Sequence, residues 1–221
     1  LEVAMATHFR VALAGAKLGL PEVNLGLLPG AGGTQRSPRL MGVKAATELM
    51  LSGQHLSAKA ALAAGLVDKL AEGDDPLVAG LAYVNELLAR GVPPRRTRDL
   101  AIADKAAALA ELDAIALESV KKTRGLFSPA KIIECVRAAV ELPFEQGLKR
   151  ERELFLECLN SPQRQGLVHA FFAERETAKI PEAKAAAPRA LASIAVIGGG
   201  TMGAGITVSA LDAGLSVVMV E

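Results

Sequence analysis

Tryptophan is absent, tyrosine occurs once and phenylalanine six times in 221 residues. A core drawn from that set is aliphatic and alanine-rich, which favours packed helices and βα units over an aromatic-rich β-sandwich. Charge of either sign is not in excess: 25 basic and 24 acidic side chains leave a formal +1. That balance speaks against a nucleic-acid partner, which calls for a basic face. With 51% apolar residues, disorder over most of the length is excluded as well. The two cysteines, Cys135 and Cys158, give neither a disulfide framework nor metal-ligand spacing, so no metal site is expected and reduced structural thiols are. The longest stretch free of charge, 190–211, is long enough to raise a membrane span, but five glycines lie inside it. No transmembrane segment is read there. The chain opens at Leu1 and stops at Glu221 straight after an apolar run, so the natural protein is expected to extend past both ends.

Residues 1–14 read as a short helix running into a strand-like Arg-Val-Ala-Leu-Ala stretch, and 18–36 as loop and turn, with Pro21 and Pro29 blocking a helix. The glycine cluster of residues 30–33 opens a helix through Thr34, Gln35 and Arg36. Helical spacing recurs over 44–51, over 57–64 with Ser57 as cap and Gly65 as stop, and over 77–89. Residues 66–70 read as a short strand or extended exit. From 99 to 180 the pattern is almost wholly helical, broken near 125–129, at Pro143 and at 161–162. Within it, 148–159 is an amphipathic surface helix whose charge run, Lys149 to Glu153, reads as a solvated face. Residues 181–192, rich in proline and alanine, read as a linker.

Chemistry concentrates in two places. Near the end, a β-type run over 193–197 leads into Gly198-Gly199-Gly200-Thr201-Met202-Gly203, then a helical stretch, then an apolar strand ending in Glu221. Strand, Gly-x-Gly-x-x-Gly, helix, strand and acid is the order of a dinucleotide-binding βαβ unit. Gly198 permits the tight turn, Gly200 admits the pyrophosphate, and Gly203 lets helix and strand approach. The helix start, with Thr201 and Met202, offers N–H groups to phosphate. Glu221 stands near the separation, roughly 20 residues, at which an acid grips the ribose 2′-hydroxyl, favouring NAD over NADP. The competing readings are a glycine loop without a ligand and a membrane helix with Gly-x-x-x-Gly; the flanking strands and terminal acid favour the nucleotide. Earlier in the chain, Glu2 and Glu22 each sit among apolar residues, where a carboxyl group is costly to ionise and can trade protons near neutral pH. Two such groups converging on one water could add it across a polarised double bond, with the residue 30–33 glycines orienting that water. Spacing alone leaves this open, since a glutamate at a helix start is often only a cap.

Residues 18–36, with Pro21-Glu22 before an apolar run and Pro29 to Arg36 reading Pro-Gly-Ala-Gly-Gly-Thr-Gln-Arg, resemble the signature of the crotonase (enoyl-CoA hydratase/isomerase) superfamily. Leu1-Glu2 with Ala4-Met5-Ala6 resembles the family's preceding helix, and 52–68 resembles its later segment. Together with 193–221, the whole chain looks like part of the bifunctional β-oxidation family of the peroxisomal type and its bacterial relatives. The resemblance implies an α/β fold in four parts. These are a partial crotonase-like domain at 1–94, a helical lid or linker region at 95–180, a flexible linker at 181–192, and the first βαβ unit of a Rossmann-type 3-hydroxyacyl-CoA dehydrogenase domain at 193–221. It implies that Glu2 activates the water attacking C3 of a trans-2-enoyl-CoA and that Glu22 exchanges a proton at C2, or shuttles one in isomerisation. Gly30 would offer its N–H near that water. Gly198, Gly200, Thr201, Met202, Gly203 and Glu221 would bind NAD. The partner implied is an acyl-CoA thioester, with oligomeric state unread, in bacterial cytoplasm or in a eukaryotic peroxisome. The family's oxyanion hole and dehydrogenase histidine fall outside 1–221, so this piece alone is expected to be inactive. A different acyl-CoA pathway, such as aromatic-acid degradation, and a non-catalytic CoA-binding scaffold are the alternatives.

Overall fold

The computed structural model describes residues 1–123, 125–177, 179–180, 186–187 and 189–221. Positions 181–185 and 188 of the expected linker lie outside the described residues. The chain forms two compact units, Leu1–Glu174 and Arg175–Glu221.

In the first unit, α1 (Glu2–Ala6) leads to β1 (Val11–Leu13) and β2 (Lys17–Gly19), followed by a 3-10 turn at Pro21–Leu25. Then come α2 (Gly33–Met41), α3 (Val43–Ser52), β3 (His55–Ser57), α4 (Ala58–Ala63) and β4 (Lys69–Ala71). After α5 (Pro76–Ala89), four longer helices follow: α6 (Lys105–Thr123), α7 (Phe127–Glu141), α8 (Phe144–Leu159) and α9 (Pro162–Thr177), the last of which runs on past Glu174, where the unit ends. Strand β1 pairs parallel with β4, Val11 opposite Lys69, a connection that needs the intervening helical crossover. Strands β2 and β3 pair antiparallel, Gly19 opposite His55. This second pair lies in what the sequence presents as loop. Gly19 makes it possible, since a Cβ there would stand 2.8 Å from the Gln54 carbonyl oxygen. The extended segment expected over 66–70 also shifts: Leu66 and Val67 turn into the core, and only Lys69–Ala71 pair as strand.

The caps are those that the residue types dictate. Ser57 Oγ accepts from the Ala60 N–H at 3.2 Å, and Asp75 Oδ1 accepts from Leu77 and Val78 at the start of α5. One core then gathers the unit: Met5, Leu20, Leu28, Met50 and Leu66 from the first part, with Leu112, Ile132 and Leu154 from α6, α7 and α8. Helix α7 buries Ile132, Cys135, Val136, Ala139 and Val140, a helical stripe against α2 and α3. Burial pushes the Cys135 thiol up strongly and the Cys158 thiol to about 11, so both stay protonated and inert.

Helix α8 corrects the reading of a wholly solvated charge run. Gly147, Glu151, Leu154 and Cys158 form its buried stripe, and Glu151 is only 2% exposed. Its neighbours in the run do face outward, with Arg150 paired to Glu134 and Glu153.

The second unit contains β5 (Ser193–Ile197), α10 (Thr201–Asp212) and β6 (Ser216–Val220). Strands β5 and β6 pair parallel over five residues, Ser193 opposite Ser216 through Ile197 opposite Val220. Among the described residues no helix is long and apolar enough to cross a membrane.

Candidate active site

Two tight turns carry the first site. Leu20 and Val23 are buried and fix the 3-10 turn, which Gly26 closes in the left-handed region at φ 70°. Glu22 is thereby held half-buried, with its Oε2 enclosed and lacking a hydrogen-bond partner. Burial pushes its carboxyl above the ordinary range, and the negative charge of Glu2 adds to that shift. The two acids singled out in the sequence thus lie within electrostatic reach of each other.

Glu2 owes its position to the second turn. Gly32, at φ 92°, adopts a backbone conformation that disfavours any side chain, and α2 starts immediately after it. The turn's N–H groups point outward from the helix start, where acceptors are needed. Glu2 Oε1 takes two of them, from Ala31 at 2.8 Å and Gly33 at 2.7 Å. Charge-assisted bonds of this kind fix a carboxylate more firmly than neutral ones do. The fit is close: a Cβ on Gly33 would stand 2.6 Å from Glu2 Oε1 and 2.7 Å from Pro29 Cβ. Gly30 sits beside the same turn, against the Phe155 ring, which a Cβ would meet at 2.5 Å.

The alternate N–H groups of the turn go to a residue that was not singled out. Glu151 of α8 accepts from Gly32 N at 2.7 Å with Oε1 and from Thr34 N at 3.1 Å with Oε2, and the Thr34 hydroxyl donates to the same Oε2. Gln35 Nε2 continues the network, donating to Thr34 Oγ1 at 3.0 Å and to the Cys135 carbonyl at 2.9 Å. Burial raises the Glu151 carboxyl to about 7, with the hydrogen bonds from Thr34 and Gly32 working against that rise. The available signal was the spacing Gly147, Glu151, Leu154, Cys158, which places an acid in a helix's apolar stripe.

In the second unit, Gly198 takes φ 98°, and its N–H donates to the Val220 carbonyl at 2.7 Å, tying the turn to β6. A Cβ on Gly203 would overlap the Gly198 carbonyl, whereas one on Gly200 would meet open space. Thr201 and Met202 are exposed at the start of α10, and the Glu221 carboxylate reaches back over Gly199. A left-handed glycine, an open approach at Gly200 and a free helix start match what a pyrophosphate requires.

Residues 1–92 match the family described as enoyl-CoA hydratase/isomerase. The peroxisomal bifunctional enzyme of Cavia porcellus is 40% identical over 230 residues and that of Danio rerio 42% over 225, in each case across all of this chain. The chain spans 31% of the length of either relative. The crystal structure of a carnitinyl-CoA hydratase from Mycobacterium avium superposes with a TM-score of 0.51 at 23% identity, covering 78% of this chain and 54% of that one. That likeness supports the crotonase-like α/β fold. Residues 1–92 are thus similar to the enoyl-CoA hydratase/isomerase family, within a chain similar from end to end to part of a peroxisomal bifunctional enzyme.

Proposed function

We propose that the first unit supplies the two acids of an enoyl-CoA hydratase and the second begins an NAD-dependent 3-hydroxyacyl-CoA dehydrogenase, both in one β-oxidation enzyme. The observation that carries the reading is the pairing of Glu22, whose enclosed oxygen lacks a partner, with Glu2, whose Oε1 is pinned to the glycine turn. With Oε1 occupied by two N–H groups, Glu2 has Oε2 to take a proton from water as its oxygen attacks C3 of the enoyl thioester. Glu22, whose carboxyl burial pushes above the ordinary range, delivers a proton to C2, so that one water is added in all. The same carboxyl can move a proton between carbons in isomerisation. The Gly30 N–H would lie toward the reacting water, at the edge of the turn.

The residues of the second unit fit NAD: Gly198 and Gly200 shape the turn, Thr201, Met202 and Gly203 start the helix, and Glu221 would hold the ribose hydroxyl. NAD bound there would supply the hydride acceptor for oxidation of the 3-hydroxyl.

The test uses full-length protein. Glu22→Gln should lower hydration of trans-2-enoyl-CoA at least 100-fold, as loss of an acid–base group does, while oxidation of supplied 3-hydroxyacyl-CoA continues. Equal loss of both activities would count against two separate sites, and unchanged hydration would remove Glu22 from the mechanism.

A further inference from the structure

We propose that Glu151 is a positioning residue for hydration, acting through the glycine turn to hold Glu2; this rests on the hydratase reading above. The turn from Ala31 to Thr34 presents four successive N–H groups, and two carboxylates divide them in alternation. Ala31 and Gly33 donate to Glu2, while Gly32 and Thr34 donate to Glu151. The two acids therefore share the turn between them, each holding two of its N–H groups. If one grip is lost, the turn can rotate, and the N–H groups that hold Glu2 rotate with it.

Glu151 is built for this task rather than for chemistry on a substrate. It is buried, both its oxygens are occupied, and its helix is packed into the core on either side by Gly147 and Leu154. A buried acid is costly, and an apolar residue would fill the same stripe at less expense in desolvation. Its retention makes sense where its acceptors are needed, and here each is aimed at the turn that carries Glu2. Thr34 adds a hydroxyl donor to the same oxygen, and Gln35 locks that hydroxyl from behind. Gly147 leaves room for Gln35, since a Cβ there would overlap its side-chain oxygen. The helical region after residue 95 therefore enters the site through the carboxylate of Glu151, beside the Phe155 ring that packs on Gly30.

Three variants of the full-length enzyme test this: Glu151→Gln, Thr34→Val and Thr34→Ser. Hydration is assayed at least 20 °C below the melting temperature of the least stable variant, where lost stability alone leaves kcat unchanged. Glu151→Gln keeps shape but leaves one acceptor oxygen, so kcat should fall at least tenfold with KM for the enoyl thioester within about threefold. Thr34→Val should fall in the same direction by less, and Thr34→Ser, which restores the hydroxyl, should recover the wild-type kcat. Dehydrogenation should be unaffected in all three. Glu22→Gln runs alongside as the control for the underlying reading. If Glu22→Gln abolishes hydration while both Glu151→Gln and Thr34→Val keep wild-type kcat, the positioning role is overturned and the hydratase assignment stands. If Glu22→Gln hydrates normally, both are overturned.

Discussion

Replacing Gly33 by alanine separates the placement of Glu2 from the stability of the fold. Gly33 is the first residue of α2 and has an ordinary helical backbone, so alanine meets no backbone strain and gains helix propensity of up to about 1 kcal/mol. Against this, the new methyl group would stand 2.6 Å from Glu2 Oε1 and 2.7 Å from Pro29 Cβ, where ordinary contact begins at 3.4 Å. Overpacking of that kind costs about 1–3 kcal/mol, so the net loss of stability is roughly 0–3 kcal/mol. The Pro29 ring is stiff and the Glu2 side chain is not, so the carboxylate gives way, by about 0.8 Å. A displacement near 1 Å can cost about 100-fold in rate, or ~2.7 kcal/mol of barrier. Gly42→Ala is the opposite case. Its backbone, at φ 82° and ψ 159°, is one that only glycine adopts readily, while the space around it is empty. It should cost about 1–3 kcal/mol of stability with no effect on turnover. Hydration can be followed by loss of the conjugated enoyl-thioester absorbance, and stability by urea unfolding. Should Gly33→Ala retain kcat within threefold of wild type, the carboxylate's position is not what limits the reaction.

Other consequences are open to measurement. The Glu151 carboxyl titrates at about 7 in the fold against an ordinary 4.5, so the native state binds the proton more tightly than the unfolded chain. Its effect is absent below about pH 4.5 and grows as destabilisation up to pH 7, reaching about 3 kcal/mol. Subtracting the Glu151→Gln stability curve from that of wild type should reveal this slope, and parallel curves would refute it. If the proposed NAD site is right, Gly200→Val should weaken NAD binding at least tenfold by calorimetry, because the side chain would fill the open space that the pyrophosphate needs; unchanged affinity would exclude the site. Arg10→Met leaves Asp68 half-paired, since Arg10 contacts it at 3.3 Å and donates to the Leu66 carbonyl at 2.7 Å. Urea unfolding should show a loss of about 3 kcal/mol, moderated by Arg95, which also pairs with Asp68.

Local signals made much of this legible. Ser57, Gly65 and the breaks at Pro143 and Ser161–Pro162 marked helix ends because caps and breakers act within a few residues. Strand, glycine turn, helix and strand over 193–220 were readable for the same reason. The pair β2–β3 escaped because three-residue strands leave almost no periodicity, and their pairing is settled by register across the 35 positions between Gly19 and His55. Glu151 escaped because charge was counted along the sequence, where it sits among four other charged residues, rather than around the helix, where it falls between Gly147 and Leu154. Which N–H group it would find, more than a hundred residues earlier, is a tertiary fact without a local trace.

The double grip on the glycine turn also has a consequence for biosynthesis. During translation the Ala31–Thr34 turn emerges long before α8, and until residue 151 is available the Gly32 and Thr34 amides lack the acceptor they have in the fold. Until α8 covers them these donors bond water, and no protein acceptor fixes the direction in which they point. The first segment should therefore leave the ribosome with its reactive corner still loose and gain its working geometry only when α8 docks.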